Sequence, residues 1–323
     1  MAILVTGGAG YIGSHAARAL RRSGYEVVLY DNLSTGFRCL AQGFELVEGD
    51  IADEAKLRPV LARVDAVMHF AAHAYVGESV ENPRKYFQNN VLGALSLLNS
   101  VLDAGIRRFV FSSTCAVYGM PQQIPITEQT PREPVNPYGA SKLFFENALE
   151  AYSRAYGLRS VSLRYFNAAG ADESGEIGEL HDPETHLIPL ALAASTANGP
   201  ELQIYGSDYP TPDGTCVRDY IHVNDLADAH VRALQYLGKG GDSLAVNLGT
   251  GRGHSVLEVI RMAEKATGRP VRRKIGPRRP GDPPVLVADP AKAQRVLGWT
   301  AKRNLADIVS SAWTWMQKDS SGS

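Results

Sequence analysis

Through its first half the chain alternates short apolar runs with longer stretches whose apolar positions recur at helical spacing. Residues 2–5 are one such run, the pattern of a strand buried on both faces of a parallel sheet. A glycine-rich turn and a helical stretch to about residue 23 follow. The unit then repeats. Strand-like runs lie at 26–30, 44–48, 65–70, 108–111 and 159–164, with helical patterns at 52–63, 83–104 and 138–156. Such alternation predicts an α/β fold, a doubly wound parallel sheet with helices on both faces. Ligands of such sheets bind beyond the carboxyl ends of the strands.

After residue 167 the alternation fades. Residues 171–184 are polar and glycine-rich, and 186–197 read as a helix. Short strands are expected at 202–206, 216–223 and 244–248. Asn224 is a candidate N-cap for a helix to 237. Ser255 and Glu258 have capping-box spacing for the next helix. Residues 269–279 are basic and proline-bounded, 289–297 and 304–316 read as helices, and 319–323 as a frayed tail. A doubly wound Rossmann domain over 1–167, rejoined near 216–236, and a smaller mixed α/β domain over 168–323 are therefore expected.

Composition narrows the function classes. The chain has 323 residues, 44% of them hydrophobic, enough for a large core. A net charge of −1 gives no reason to expect nucleic acid or an anionic membrane surface as partner. No apolar run approaches the length of a membrane span. Cys39, Cys115 and Cys216 form no pairing pattern, which suits a reducing compartment. With a strand-like run at the very start, no signal peptide is expected, and the location expected is cytoplasmic.

The candidate chemistry begins at the first turn. Gly7, Gly10 and Gly13 have a variant of the dinucleotide-binding spacing between a strand and a helix. Glycines there let backbone N–H groups approach a pyrophosphate, and the helix N-terminus favours its charge. Asp31 closes the second strand, where a carboxylate binds ribose hydroxyls and repels a 2′-phosphate; NAD is therefore expected over NADP. Asp50, Phe70 and Ser112 also lie near strand ends and are expected in the same crevice. Tyr138 and Lys142, four apart behind Pro137, share a helix face. A phenol beside an ammonium is expected to have its pKa drawn toward neutrality, suiting a proton shuttle. Thr114, just past a strand end, is the candidate third member. His69 and His73 straddle a strand end, and His181, His186, His222 and His230 show no ligand spacing, so no metal is expected.

Four segments carry a resemblance in order and spacing: Thr6 to Gly13, Ser112 to Gly119, Tyr138 to Lys142, and Arg164 to Asn167. Together they resemble the extended short-chain dehydrogenase/reductase family, and within it the UDP-hexose 4-epimerases, over residues 2–316. The resemblance implies catalysis by Thr114, Tyr138 and Lys142. It implies NAD contacts from Gly7, Gly10, Tyr11, Ile12, Gly13, Asp31, Asn32, Asp50, Ile51, Phe70, Ala71, Ala72, Asn89, Ser112, Tyr138, Lys142 and Tyr165. It implies that Arg218 and Arg279 face the phosphates of a UDP-sugar, that Asp282 takes a ribose hydroxyl, and that Gln203 and Tyr205 meet uracil. Thr114, Tyr138, Asn167, His186, Leu187 and Leu286 are implied around the sugar.

The implied reaction is reversible epimerisation at sugar C4. By this resemblance Tyr138 takes the 4-hydroxyl proton as the C4 hydride moves to NAD, the 4-keto sugar turns over, the hydride returns to the opposite face of C4, and Tyr138 gives the proton back to O4. Relatives that dehydrate carry Asp-Glu after the matching threonine; Cys115-Ala116 cannot perform that acid–base work. Ala74 replaces a lysine found near the phosphates in some epimerases. Leu286 replaces a tyrosine found in others, leaving room for an N-acetyl group and raising the hypothesis that UDP-GlcNAc and UDP-GalNAc are accepted. A UDP-pentose 4-epimerase and a net NAD-dependent oxidoreductase are the alternatives. A homodimer through helices at 83–104 and 138–156 is implied.

Overall fold

A computed structural model describes residues 1–279 and 281–319; Pro280 and residues 320–323, most of the expected frayed tail, lie outside the described residues. The first-half strands are β1 (Ala2–Thr6), β2 (Glu26–Asp31), β3 (Glu45–Glu48), β4 (Ala66–His69), β5 (Arg108–Thr114) and β6 (Arg159–Tyr165). The second half supplies β7 (Asn167–Ala169), β8 (Leu202–Tyr205), β9 (Val217–His222), β10 (Leu244–Leu248), β11 (Gly253–Ser255), β12 (Arg273–Gly276) and β13 (Val285–Leu286). Seven strands form one sheet in the order β10-β6-β5-β4-β1-β2-β3, every pair parallel. The expected doubly wound sheet is therefore present, with its seventh strand drawn from the second half of the chain.

The chain leaves β1 toward one edge and returns to β4 on the other side of it, so a crevice opens between the two. Registry aligns the strand ends there. Thr6 pairs with both Tyr30 and His69, and Thr114 pairs with Tyr165. The residues that follow, Gly7, Asn32, Phe70, Cys115 and Phe166, all emerge at one rim.

Helices α1 (Tyr11–Arg22), α2 (Glu54–Leu61), α3 (Val76–Glu81), α4 (Pro83–Phe87), α5 (Ala94–Asp103) and α6 (Pro137–Tyr156) come from the first half. Helices α7 (Leu187–Ala194), α8 (Val223–Gly238), α9 (Val256–Thr267), α10 (Ala291–Leu297) and α11 (Leu305–Asp319) follow. One apolar layer packs Ala16, Ala17 and Leu20 of α1 and Leu226, Leu234 and Leu237 of α8 against Val5, Val110 and Val161. The opposite layer packs Leu57, Leu97, Leu98, Phe145 and Leu149 against Leu4, Val67 and Phe109. A separate core joins α7, α9 and α11 to β8 and β9. Among the described residues no helix is long and apolar enough to cross a membrane.

Local expectations differ at several points. The single helix expected over 83–104 is broken by a π-helical turn at Gln88–Gly93. Asn90 sits in that turn, accepting from His73 N at 2.9 Å and donating to His73 O at 2.9 Å, and this tertiary pull accounts for the widened turn. The cap of α8 is His222, whose Nδ1 accepts from Asn224 N at 3.0 Å, so Asn224 lies within the helix. Within the basic stretch 269–279, β12 pairs in parallel with β8. Helix α3 was not anticipated. It lacks a side-chain cap hydrogen bond and buries only Ser79.

Candidate active site

The glycine turn is built for close approach. Gly7 has φ +71°, and a Cβ there would lie 2.5 Å from Ala71 N. A Cβ on Gly13 would lie 2.1 Å from Gly7 O, so helix and strand meet only because neither residue has a side chain. Gly10 caps α1 without a side chain, leaving the first amides of α1 facing the rim. The Tyr11 hydroxyl is committed elsewhere, donating to Gly170 O at 2.6 Å. What Tyr11 and Ile12 present at the rim is backbone.

Asp31 is buried, and its two oxygens accept from Ala9 N at 2.9 Å and Leu33 N at 2.8 Å. Burial pushes its pKa above the usual carboxylate range, while those two amides oppose the shift. Asn32 donates to Asp50 Oδ2 at 2.9 Å, and Ala52 N holds Asp50 Oδ1 at 2.9 Å, which fixes the neighbouring wall. Ile51 is buried against Gly93 of the π turn. The glycine turn, Asp31 and the loop after β4, with Phe70, Ala71 and Ala72, form a cradle whose shape and donors fit a dinucleotide. On the far side Asn89 donates to Asn90 Oδ1 at 2.9 Å, and Asn90 reaches Ser141 of α6 at 3.2 Å.

Helix α6 carries both Tyr138 and Lys142. Pro137 occupies its first turn, and the Asn136 side chain accepts from Gly139 N at 2.8 Å. Tyr138 is half-buried at the crevice, whereas Lys142 is buried and donates to Ser112 O at 2.8 Å. Lys142 Nζ lies 5.9 Å from the centre of the Tyr138 ring. Ser112 and Tyr165 hydrogen-bond through their hydroxyls. Thr114 Oγ1 accepts from Ala116 N at 3.1 Å and is close enough to the Tyr138 phenol to oppose the rise in its pKa. Thr114, Tyr138, Lys142 and Ser112 thus share one rim.

Protonation corrects one expectation. Burial pushes the Tyr138 phenol up to about 12, outweighing the help it gets from Thr114. Burial also lowers Lys142 to about 7, with Glu146 opposing. Desolvation penalises both charged forms, so proximity to Lys142 does not by itself bring Tyr138 toward neutrality.

The second half supplies the facing wall around β9. Leu286 pairs in register with Arg218, and Asn167 pairs with Tyr220. Arg218 donates to Asp282 Oδ1 at 2.6 Å. The Arg279 guanidinium stacks 3.9 Å from the centre of the Tyr205 ring, and Gln203 lies two positions before Tyr205 on β8. Leu286 packs with Phe166 and Ala288 at the edge of a small apolar cluster. His186 and Leu187 open α7.

Sequence reasoning missed two features that hold this geometry. Glu146, one turn beyond Lys142, is paired with Arg164 (Nη2 to Oε2, 2.5 Å) and accepts from Ser113 Oγ at 2.5 Å. Both ion-pair members are buried. Arg164 in turn donates to the Tyr118 hydroxyl at 2.9 Å. Helical spacing from Lys142 was the available signal for Glu146. The second is a loop cluster. Glu179, His181, Glu184 and His186 bring their ligating atoms within 4.8 Å of one another. The expectation from spacing did not include this convergence of His181 and His186 with two carboxylates. The spacing matches no regular element, so the pattern was silent. His69, by contrast, is bonded to Thr6 Oγ1 at 2.7 Å inside the sheet.

Known proteins share this architecture throughout. The UDP-glucose 4-epimerase of Rhizobium meliloti is 52% identical over 322 residues, 99% of this chain and 98% of that protein. The solved structure of UDP-glucose 4-epimerase from Brucella ovis in complex with NAD is 52% identical, with a TM-score of 0.94 over 97% of both chains. That of UDP-glucose-4-epimerase from Stenotrophomonas maltophila, with bound NAD and formylated UDP-arabinopyranose, is 42% identical, with a TM-score of 0.94 over 100% of both chains. The epimerase family model matches residues 3–249, taking in the glycine turn, the Thr114–Tyr138–Lys142 rim and β9 together. With that match over most of its length, this chain belongs to the NAD dependent epimerase/dehydratase family.

Proposed function

We propose that this chain is an NAD-dependent UDP-hexose 4-epimerase that interconverts UDP-glucose and UDP-galactose. The carrying observation is the union of two things in one chain. Thr114, Tyr138 and Lys142 share a rim beside the glycine cradle, and curated UDP-glucose 4-epimerases are 52% identical over nearly the full length.

Bound NAD supplies a hydride acceptor and, after turnover of the 4-keto sugar, a hydride donor, so no net redox occurs. Tyr138 takes the proton from the sugar 4-hydroxyl and returns it to O4. Thr114 orients that hydroxyl. Lys142 would hold the nicotinamide ribose of bound NAD, and it adds positive charge near the phenol. The positive charge of an oxidised nicotinamide would act in the same direction on Tyr138, which burial pushes up to about 12. Asp31 takes the adenosine ribose, and the amides of Tyr11 and Ile12 take the pyrophosphate.

Arg218 and Arg279 hold the UDP phosphates, which guanidinium suits by its fork of donors. Asp282, already against Arg218, takes a uridine ribose hydroxyl, while Gln203 and Tyr205 take uracil. Asn167, His186, Leu187 and Leu286 line the sugar. A leucine on β13 opposite Arg218 supports room for an N-acetyl group; no turnover of UDP-GalNAc by protein active on UDP-galactose would refute that extension.

Residues 1–167, rejoined by α8 and β10, form the NAD-binding part in this reading, and the remainder of 168–323 forms the UDP-sugar-binding part. A homodimer through α4, α5 and α6 is supported by outward-facing Phe87, Leu92, Phe144 and Tyr156. The absence of a membrane-crossing helix among the described residues is compatible with the cytoplasmic location we propose.

The deciding experiment gives purified protein UDP-galactose without added cofactor and follows UDP-glucose. Product without added NAD, with NAD released on denaturation, is expected. A need for stoichiometric NAD with accumulation of NADH would instead show a net oxidoreductase. Tyr138→Phe should lower turnover by about 10²–10⁴-fold while retaining bound NAD; unchanged turnover would remove Tyr138 from its role.

A further inference from the structure

Between β7 and α7 the chain runs through a loop that brings Glu179, His181, Glu184 and His186 together. The four ligating atoms lie within 4.8 Å of one another. His186 Nδ1 is 2.9 Å from Glu179 Oε1 and 3.1 Å from Glu184 Oε1. His181 Nδ1 is 3.3 Å from Glu179 Oε1 and 3.5 Å from Glu184 Oε2. Ligands held at 2.0–2.1 Å in a tetrahedron stand about 3.3 Å apart. The four nitrogen–oxygen separations bracket that edge length.

An independent observation points the same way. The Glu179 side chain is only 6% exposed, and its Oε1 is buried with no hydrogen-bond partner. His181 Nδ1, aimed at the same point, is also buried without one. Buried polar atoms are normally satisfied, and these two make no hydrogen bond of regular geometry even though imidazole nitrogens stand 2.9 and 3.3 Å from Glu179 Oε1. Glu184, by contrast, is held in place by Thr185 N at 2.7 Å and His186 N at 2.8 Å, both donating to Oε1.

We propose that Glu179, His181, Glu184 and His186 form a binding site for one divalent transition-metal ion of the zinc type. Two imidazoles with two carboxylates select such an ion over magnesium or calcium, which prefer all-oxygen shells. The two carboxylate charges match the ion's charge. Four protein ligands leave no open position, so the role is structural. The placement says what the ion braces. The Tyr75 ring packs 5.9 Å from His181 and 6.3 Å from His186, and the Tyr11 ring lies 6.1 Å from His181. Tyr11 opens the helix of the glycine cradle, and Leu187, next to His186, opens α7. The ion would pin the loop between the cofactor cradle and the sugar wall.

The test uses tag-free, full-length protein stripped with EDTA, dialysed against Zn²⁺ or Co²⁺ and assayed for bound metal by mass spectrometry. Wild type is expected to retain one equivalent per chain, to show the intense visible bands of four-coordinate Co²⁺, and to melt at higher temperature with metal than without. Glu179→Gln combined with His181→Asn is expected to lose that equivalent and the Co²⁺ bands, with bound NAD and far-UV circular dichroism retained. Either single variant, weakening the Co²⁺ spectrum, serves if the pair does not fold. Retention of no metal by wild type would overturn the proposal and leave a histidine–carboxylate ion-pair cluster. Equal metal and equal spectra in wild type and variants would overturn it as well, assigning the metal to the cysteines or the surface.

Discussion

Gly139 separates what the helix prefers from what the site requires. It lies between Tyr138 and Ala140 in the first turn of α6. Its φ is not in the left-handed region, so alanine fits the backbone and brings up to about 1 kcal/mol of helix propensity. The surroundings oppose this. A Cβ would lie 2.5 Å from Ala116 O, 3.0 Å from Ala116 C and 3.0 Å from Pro134 Cβ. Relief of the first contact needs about 0.9 Å of movement, and the partner is backbone, which cannot swing aside. Overpacking of this kind costs about 1–3 kcal/mol. Ala116 follows Thr114 in one tight turn, and Gly139 N is held by Asn136, so any movement separates Thr114 from Tyr138 or loosens the cap. Misplacement by about 1 Å costs on the order of 10² in rate. Gly139→Ala is therefore expected to lower kcat for UDP-galactose by about 10²-fold, with bound NAD retained and a denaturant midpoint modestly lower. The assay is UDP-glucose formation at saturating substrate, with cofactor quantified on denatured protein and unfolding followed by fluorescence. A variant of unchanged kcat and raised stability would refute the reasoning, because helix propensity would then have outweighed the contact.

Other outcomes follow from buried groups. Glu146→Gln leaves the Arg164 charge buried without its counter-ion, and is expected to destabilise by about 3–5 kcal/mol in denaturant unfolding. A loss below about 1 kcal/mol would mean that water reaches Arg164. Burial lowers His69 to about 3 and His230 to about 4, from 6.5 in the unfolded chain. The unfolded state then binds more protons below 6.5. Their contribution is complete above that pH and is lost as pH falls toward 4, at about 1.4 kcal/mol per pH unit for each. Unfolding free energy measured from pH 7 down to 4.5 should decline with that sign, and His230→Phe should reduce the slope by one proton. A flat profile over that range would contradict the neutral buried histidines.

Legibility in the sequence followed the range of the interactions. The apolar runs of β1, β4 and β5, the glycine turn and the Asp31 strand end were readable because each is set by a few adjacent residues. The pairing of Tyr138 with Lys142 was readable from helical pitch. Their protonation was not. The sequence suggested that Lys142 would draw the phenol toward neutrality, whereas burial moves Tyr138 up and Lys142 down. Burial depends on what β5 and β6 lay against α6. The π turn at 88–93 was hidden for a similar reason, since Asn90 is pulled by His73, a residue 17 positions away. Strand β12 reads as a basic loop until β8, roughly 70 residues earlier, pairs with it.

By itself the sequence determined the order of strands and helices, the glycines that admit a phosphate and the residue types available for proton transfer. These depend on local sterics and side-chain periodicity, which operate over a few residues. The tertiary structure decided which of those residues meet, which carry charge and which lie buried without a partner. Glu146 against Arg164, Arg218 against Asp282, and the convergence of Glu179, His181, Glu184 and His186 belong to that second class. Their energies come from desolvation and from contacts across long stretches of chain, terms that exist only once the core has closed around them.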